Sequence, residues 1–329
     1  MKARRDRLEK LIELDTYPVI DVLDTLLVDR TTKKNIIWAT RSYEEFGEQY
    51  TDTHQIDKAA ILEKPELIQP RVAKSLEAQQ ARTKAKAEVF TPSWICNKMN
   101  NYVDEEWFGR KDVFNVEGDK TWAANEEKIT FPEGKKQEDY ISENRLEITC
   151  GEAPFLVSRY DAATGEIIPV EQRIGLLDRK LRIAGEMTDS PSKWLSLARK
   201  AYKSIYGYEF QGDNLLIGRI NLLMTFVDYW KAKWPETEIK PATLKGIAEI
   251  ISWNLWQMDG LTDCVPLGVP RELSQPDPSG QQSFFDLYPE LEESMRTGED
   301  EEKAPLCLIK NWTSSKNGEP VVFALSKRK

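Results

Sequence analysis

The residues best spaced for chemistry in this 329-residue chain lie in three short strings. The first is LEITCGEAPFL, residues 146–156, which reads as a short buried strand entering Cys150-Gly151 and then an apolar run suited to opening a helix. Backbone N–H groups at such a turn and helix start can receive a carboxylate or a phosphate. The second is Glu209, at the end of the strand-like SIYGYEF (204–210), where an acid can accept hydrogen bonds from two ribose hydroxyls. The third is Asp259 in WQMDGL, an acid beside a glycine after an apolar stretch, placed to accept from an adenine amino group. Each string alone also has a plain structural reading, as a strand-to-helix turn or a surface carboxylate.

These residues need a scaffold, and the pattern from Leu146 onward is α/β. A strand at 146–150 is followed by a helix start at 154–160, two helical stretches in VEQRIGLLDRKLRIAGE and PSKWLSLARKAYKSI, the strand at 204–210, and a helix at 213–234. Residues 246–261 read as helix passing into strand. The expected organisation is a mostly helical region at 1–86 and a cofactor-binding domain at 87–264 with a helical insertion at about 165–203. A loop and acidic linker (265–303) and a β-hairpin (304–329) turning at Asn317-Gly318 complete it. Residues 109–139 read as loop with isolated aromatics at Phe114 and Trp122.

Composition removes several chemistries. The four cysteines (Cys96, Cys150, Cys264, Cys307) show no CxxC spacing and His54 is the single histidine, so neither a zinc site nor a histidine triad is expected. Cys150, at the end of a buried strand, reads as a small core residue. No apolar run reaches the length of a membrane span, and the charged N-terminus lacks a signal-peptide core, so a cytoplasmic location is expected. The net charge of −9 argues against a surface that binds nucleic acid all over, though not against a basic cleft. The basic stretch 71–86 and Arg179, Lys180 and Arg182 are the candidates for DNA contact, with a solvated helix face as the alternative for each.

Taken together and in order, these segments resemble the adenine-N6 DNA methyltransferases, in particular the modification subunits of restriction systems. The methyl-donor loop of that family reads Asp-Pro-Ala-Cys-Gly-x-Gly-x-Phe-Leu. Here Cys150, Gly151, Phe155 and Leu156 match, Glu147 stands for the Asp, and Ala153 for the second Gly. KAKAEVFTP (84–92) is similar to the upstream segment that closes over the methionine end of the cofactor, with Phe90, Thr91 and Pro92 at the matching positions. YGYEFQGDNLLIGRINLL (206–223) resembles the next strand end and its helix, and puts Glu209 on the ribose-binding acid; Asp259 falls on the adenine-side acid.

The resemblance covers roughly residues 80–262 and implies a Rossmann-like sheet that binds S-adenosyl-L-methionine. It further implies DNA as substrate and a specificity or restriction subunit as possible partner. The spacing departs from the usual unit: 58 residues separate Gly151 from Glu209, where about 20 is typical. The family's catalytic loop, Asp/Asn/Ser-Pro-Pro-aromatic, accepts both protons of the target amine and stacks on the flipped base. No such loop follows Asp259, so no catalytic residue is assigned. Three readings remain: an adenine-N6 methyltransferase with an unconventional or partner-supplied base site, an inactive relative that binds cofactor or DNA in a regulatory or assembly role, and a structural α/β protein that binds no nucleotide. The first two require the Thr91 segment, the Gly151 bend, Glu209 and Asp259 to meet at the carboxyl edge of one sheet.

Overall fold

A computed structural model describes residues 11–86, 91–268, 303–314 and 317–327. The architecture is mixed α/β, with helices flanking three small sheets. The N-terminal part contributes α1 (Val19–Leu27), α2 (Lys58–Glu63) and α3 (Leu76–Lys86). Next come α4 (Ser93–Phe108), the hairpin strands β1 (Asn115–Glu117) and β2 (Trp122–Ala124), and α5 (Gln137–Ser142). Then follow β3 (Arg145–Glu147), α6 (Leu176–Met187), α7 (Pro191–Lys203) and β4 (Ile205–Glu209). α8 (Gly212–Lys233), α9 (Pro241–Asn254) and β5 (Leu255–Gln257) complete the central unit. β6 (Leu308–Asn311), β7 (Glu319–Val322) and the short α10 (Phe323–Ser326) form the C-terminal hairpin.

β3, β4 and β5 form a parallel sheet in that order, with Glu147 beside Gly207 and Glu209 beside Gln257. α8 is the central helix, buried on nearly every side from Gly212 to Trp230, which its apolar residues all around the circumference require. Asp213 in its first turn and Lys231 and Lys233 in its last complement its dipole, and Pro235 follows its C-cap Trp234. α7 and α9 each begin on a proline, whose missing N–H costs nothing at that position. α1 packs against α8 and α9, so residues from Ile12 onward share one core with the central unit. Gln257 accepts from Ile37 N–H at 2.9 Å and donates to Ile37 O at 2.8 Å, which seals the outer side of β5 with an N-terminal segment.

The register puts Leu146, Tyr206, Tyr208 and Trp256 on one face of this sheet. The hairpin β6–β7 and α10 cover only part of that face: Phe323 packs on Tyr208 and Trp256, together with Cys307 and Ile309. β3 stays at the edge, with Leu146 47% and Ile148 63% exposed. The expectation of a buried strand over 146–150 is therefore corrected to a three-residue, half-exposed edge strand.

Three further expectations change. The described part of residues 1–86 is largely irregular chain with isolated bridges, Val28 to Asn35 and Ile37 to Gln55, between short helices. Phe114 is buried and immediately precedes β1, while Trp122 opens β2, so both belong to a hairpin rather than a loop. The helices of 165–203 form the crossover between β3 and β4, with α7 packed on β4. The acidic run at 290–302 and most of the loop before it lie outside the described residues.

Candidate functional site

The bend at 149–153 is built from three departures into left-handed backbone at alternate residues, Thr149 (φ 47), Gly151 (φ 53) and Ala153 (φ 63). Cys150 N–H donates to Tyr208 O at 2.8 Å, extending the ladder beyond β3, and Ala153 N–H closes a turn onto Cys150 O at 2.7 Å. No helix follows. The chain from Pro154 to Gly175 is turns with one bridge, Tyr160 to Ile167, and a single 3-10 turn at Val170–Gln172, and the next α-helix begins only at Leu176. The expected helix start at 154–160 is thus overturned, and with it the helix dipole as the source of anion affinity.

Two buried carboxylates answer the bend's amides instead. Glu147 accepts from Phe155 N–H at 3.4 Å and Leu156 N–H at 3.1 Å. Glu209 accepts from Gly151 N–H at 3.0 Å through one oxygen and from Gln211 N–H at 3.1 Å through the other. Burial pushes the Glu147 carboxyl up to about 8; its two amides pull the other way, and the charge of Glu209 adds to the rise. Burial, with Glu147 and Glu209 adding to it, also raises the Cys150 thiol well above its ordinary value. That agrees with a core residue and not a nucleophile.

Asp259 stands at the same edge of the sheet. Met258 N–H donates to Glu209 O at 3.0 Å, and the Asp259 carboxylate accepts from Leu261 N–H at 2.9 Å in a local turn. Thr91 and Pro92 lead into α4, where Pro92 is the N-cap and Ser93 N–H donates to Asp161 at 2.7 Å. Two turns on, Asn100 donates to Phe155 O and Ile174 O, both at 3.0 Å, which ties α4 to the chain that leaves the bend. Phe90 lies outside the described residues. Glu147, Cys150, Gly151, Phe155 and Glu209 therefore form one bonded unit, and Asp259 follows the neighbouring strand at the same edge.

The helix after Glu209, α8, holds this unit through residues whose roles no local pattern in the sequence marks. Gly218 lets α8 approach so closely that a Cβ there would sit 3.0 Å from Gly151 O. Asn221 donates to Glu152 O at 3.1 Å and to Tyr160 Oη at 3.0 Å. Glu152, itself buried, accepts from Arg71 N–H at 2.6 Å and Tyr160 O–H at 2.7 Å. Arg219 is fully buried and donates to the carbonyls of Leu26, Val28, Ser252 and Leu255, where α1 and α9 end. Burial lowers its guanidinium to about 9. Two helix C-termini converging on one cation bind these three helices together.

Most of the cations expected to touch DNA are engaged within the fold, while Lys84 is exposed. Lys74 and Arg82 both pair with the buried Asp213 at 3.0 Å, and Tyr43 O–H donates to the same carboxylate at 2.6 Å. Burial opposes the charge on Asp213, but Arg82 and Lys74 outweigh it and hold the carboxyl well below the usual range. Arg179 pairs with Asp104 and donates to Asn97 and Asn101. Lys180 donates to the carbonyls of Ile141 and Glu143 and to Ser204 Oγ. Arg182 bonds Glu186 and three backbone carbonyls. These cations hold the fold, and the DNA expectation for them is corrected on that ground.

Among the described residues no group of His, Cys, Asp and Glu is arranged to hold a metal ion, and no helix is long and apolar enough to cross a membrane. The chain matches no protein-family model, no curated protein and no solved structure.

Proposed function

We propose that this chain is an S-adenosyl-L-methionine-binding protein of the adenine-N6 DNA methyltransferase kind, acting with a restriction-modification system. The observation that carries the reading is the hydrogen bond from the Gly151 amide to Glu209, which joins the ends of two adjacent parallel strands at one edge. On this reading β3, β4 and β5 are the first half of a Rossmann-like sheet. The donor set fits the adenosine end of the cofactor. Glu209 presents a carboxylate to a ribose diol, Asp259 an acceptor to an adenine amine, and the segment from Thr91 closes over the methionine end. The buried Ala153 methyl narrows the bend where the family has glycine.

The cofactor supplies an electrophilic methyl group on a sulfonium centre. The chain's own part is orientation: Glu147 holds the far side of the bend and Glu209 the near side, so a ligand meets a preformed surface. A second reading, an inactive subunit that binds cofactor or DNA while a partner completes the site, is favoured by the edge position of β3. Leu146 and Ile148 are exposed where a complete catalytic sheet would continue.

Calorimetry with S-adenosyl-L-methionine tests the shared premise. The wild-type chain is expected to bind, and Glu209→Ala to lose binding while retaining a cooperative melt. Absence of heat with the wild type, or an unchanged affinity in the variant, overturns the proposal. Tritium transfer to duplex DNA, with and without partner subunits, then separates the two readings.

A further inference from the structure

A second concentration of functional side chains sits at the opposite edge, where the strands begin. Lys203 ends α7 just before β4, Trp253 and Asn254 end α9 just before β5, and Lys310 and Trp312 lie on and after β6. Lys203 Nζ is 4.6 Å from the Trp312 ring centroid, and Lys310 Nζ is 4.7 Å from the same centroid. Lys310 also lies 5.1 Å from the Trp253 ring, over which Arg30 stands at 5.6 Å. Trp312 is fixed in place: its Nε1–H donates to the buried Asn254 Oδ1 at 2.8 Å. Tyr206 O–H, donating to Lys310 O at 3.1 Å, ties β6 to β4.

Among the described residues neither lysine, nor the exposed Arg199, has an ion-pair partner. Glu249 is the acid that faces this group, and its charge acts on Arg30. Burial lowers the Lys203 ammonium, and the like charges of Lys310 and Arg199 lower it further. On a chain of net charge −9, cations held together on rigid indoles repel one another in the free protein. A polyanion shared between them turns that repulsion into affinity.

We propose that Lys203 and Lys310, carried on Trp312 and Trp253, form with the neighbouring Arg199 a binding patch for the phosphodiester backbone of nucleic acid. The lysines occupy the tryptophan rings, so the rings orient cations rather than stack on bases, and the contact is to phosphate without sequence preference. β4 spans roughly 16 Å, so the length of the strand separates this patch from the bend. It therefore grips a nucleic acid away from the candidate cofactor site, and its existence does not depend on the methyl-donor reading.

Fluorescence anisotropy with a labelled DNA duplex, the matching single strand and an RNA of the same length tests this across a salt series. The wild type is expected to bind at low salt, and the arm with the highest affinity identifies which backbone the patch takes. Lys203→Gln with Lys310→Gln is expected to weaken binding about tenfold or more at moderate salt. It should also flatten the log–log salt slope by about two, one for each lost phosphate contact. Arg199→Gln, on an exposed side chain, provides an independent variant, with a slope lower by about one. Unchanged slopes in cooperatively folded variants, no binding to any of the three nucleic acids, or full displacement by inorganic phosphate at millimolar concentration would each overturn the proposal.

Discussion

Replacing Glu147 by Gln isolates the electrostatics of the bend. The wild-type carboxyl rises from 4.5 to about 8 on folding, chiefly through burial. Between those two values the folded chain holds a proton that the unfolded chain releases. Stability from this group is thus complete below about pH 4.5, declines as pH climbs through the window, and is lost above about 8. One such group costs at most about 1.4 kcal/mol per pH unit. Relaxation reduces the total to about 2–4 kcal/mol, roughly 3–6 °C in melting temperature for a chain of this size. Gln keeps an acceptor for Leu156 N–H but turns an NH2 group toward Phe155 N–H. That costs about 1–3 kcal/mol at every pH without titrating. Thermal melts of both proteins from pH 5 to 8.5 give a difference curve in which the wild type loses ground to the variant as pH rises. Parallel curves, or a wild type that gains on the variant toward pH 8, would refute the reasoning; the amides would then outweigh burial and Glu147 would be ionised throughout.

Asp213→Asn should destabilise the chain by about 3–5 kcal/mol in urea unfolding, because Lys74 and Arg82 are left buried without their carboxylate. Since the folded Asp213 carboxyl lies below its ordinary value, its contribution holds above about pH 4 and falls only in stronger acid, so the gap to wild type should match at pH 5 and 7. Gly218→Ala should cost about 1–3 kcal/mol and raise proteolytic cleavage near the bend, because the new methyl meets backbone. Gly246→Ala, in α9, is the control: its Cβ meets only the flexible end of Arg199 at 3.8 Å, and a gain of about 0.5–1 kcal/mol is expected in the same melts.

How much of this was legible in the sequence depended on whether the signal was local. The helix expected at 213–234 is Gly212–Lys233 and the strand expected at 204–210 is Ile205–Glu209, because long apolar periodicity and a compact β-rich run are properties of neighbouring residues. The Cys150-Gly151 bend was read for the same reason. The helix expected after it does not form, because the left-handed Gly151 and Ala153 and the capture of the Phe155 and Leu156 amides by Glu147 keep the chain irregular. Leu146 and Ile148 announce a strand but not what covers it, and the hairpin stops short of them. Charge misled most. Lys74 and Arg82 read as a solvated or DNA-facing run, yet their partner Asp213 lies more than a hundred residues away, beyond the reach of any local pattern.

The same distinction decides how the bend can serve a ligand. The oxygens of Glu209 accept the Gly151 and Gln211 amides, so the carboxylate that a diol would meet on this reading is already oriented by the backbone. Glu147 braces the opposite side of the bend, and the carbonyl of Gly151 rests against Gly218 of the central helix. A loop held at three points loses little entropy on meeting its ligand, which favours a site formed before binding over one assembled by it.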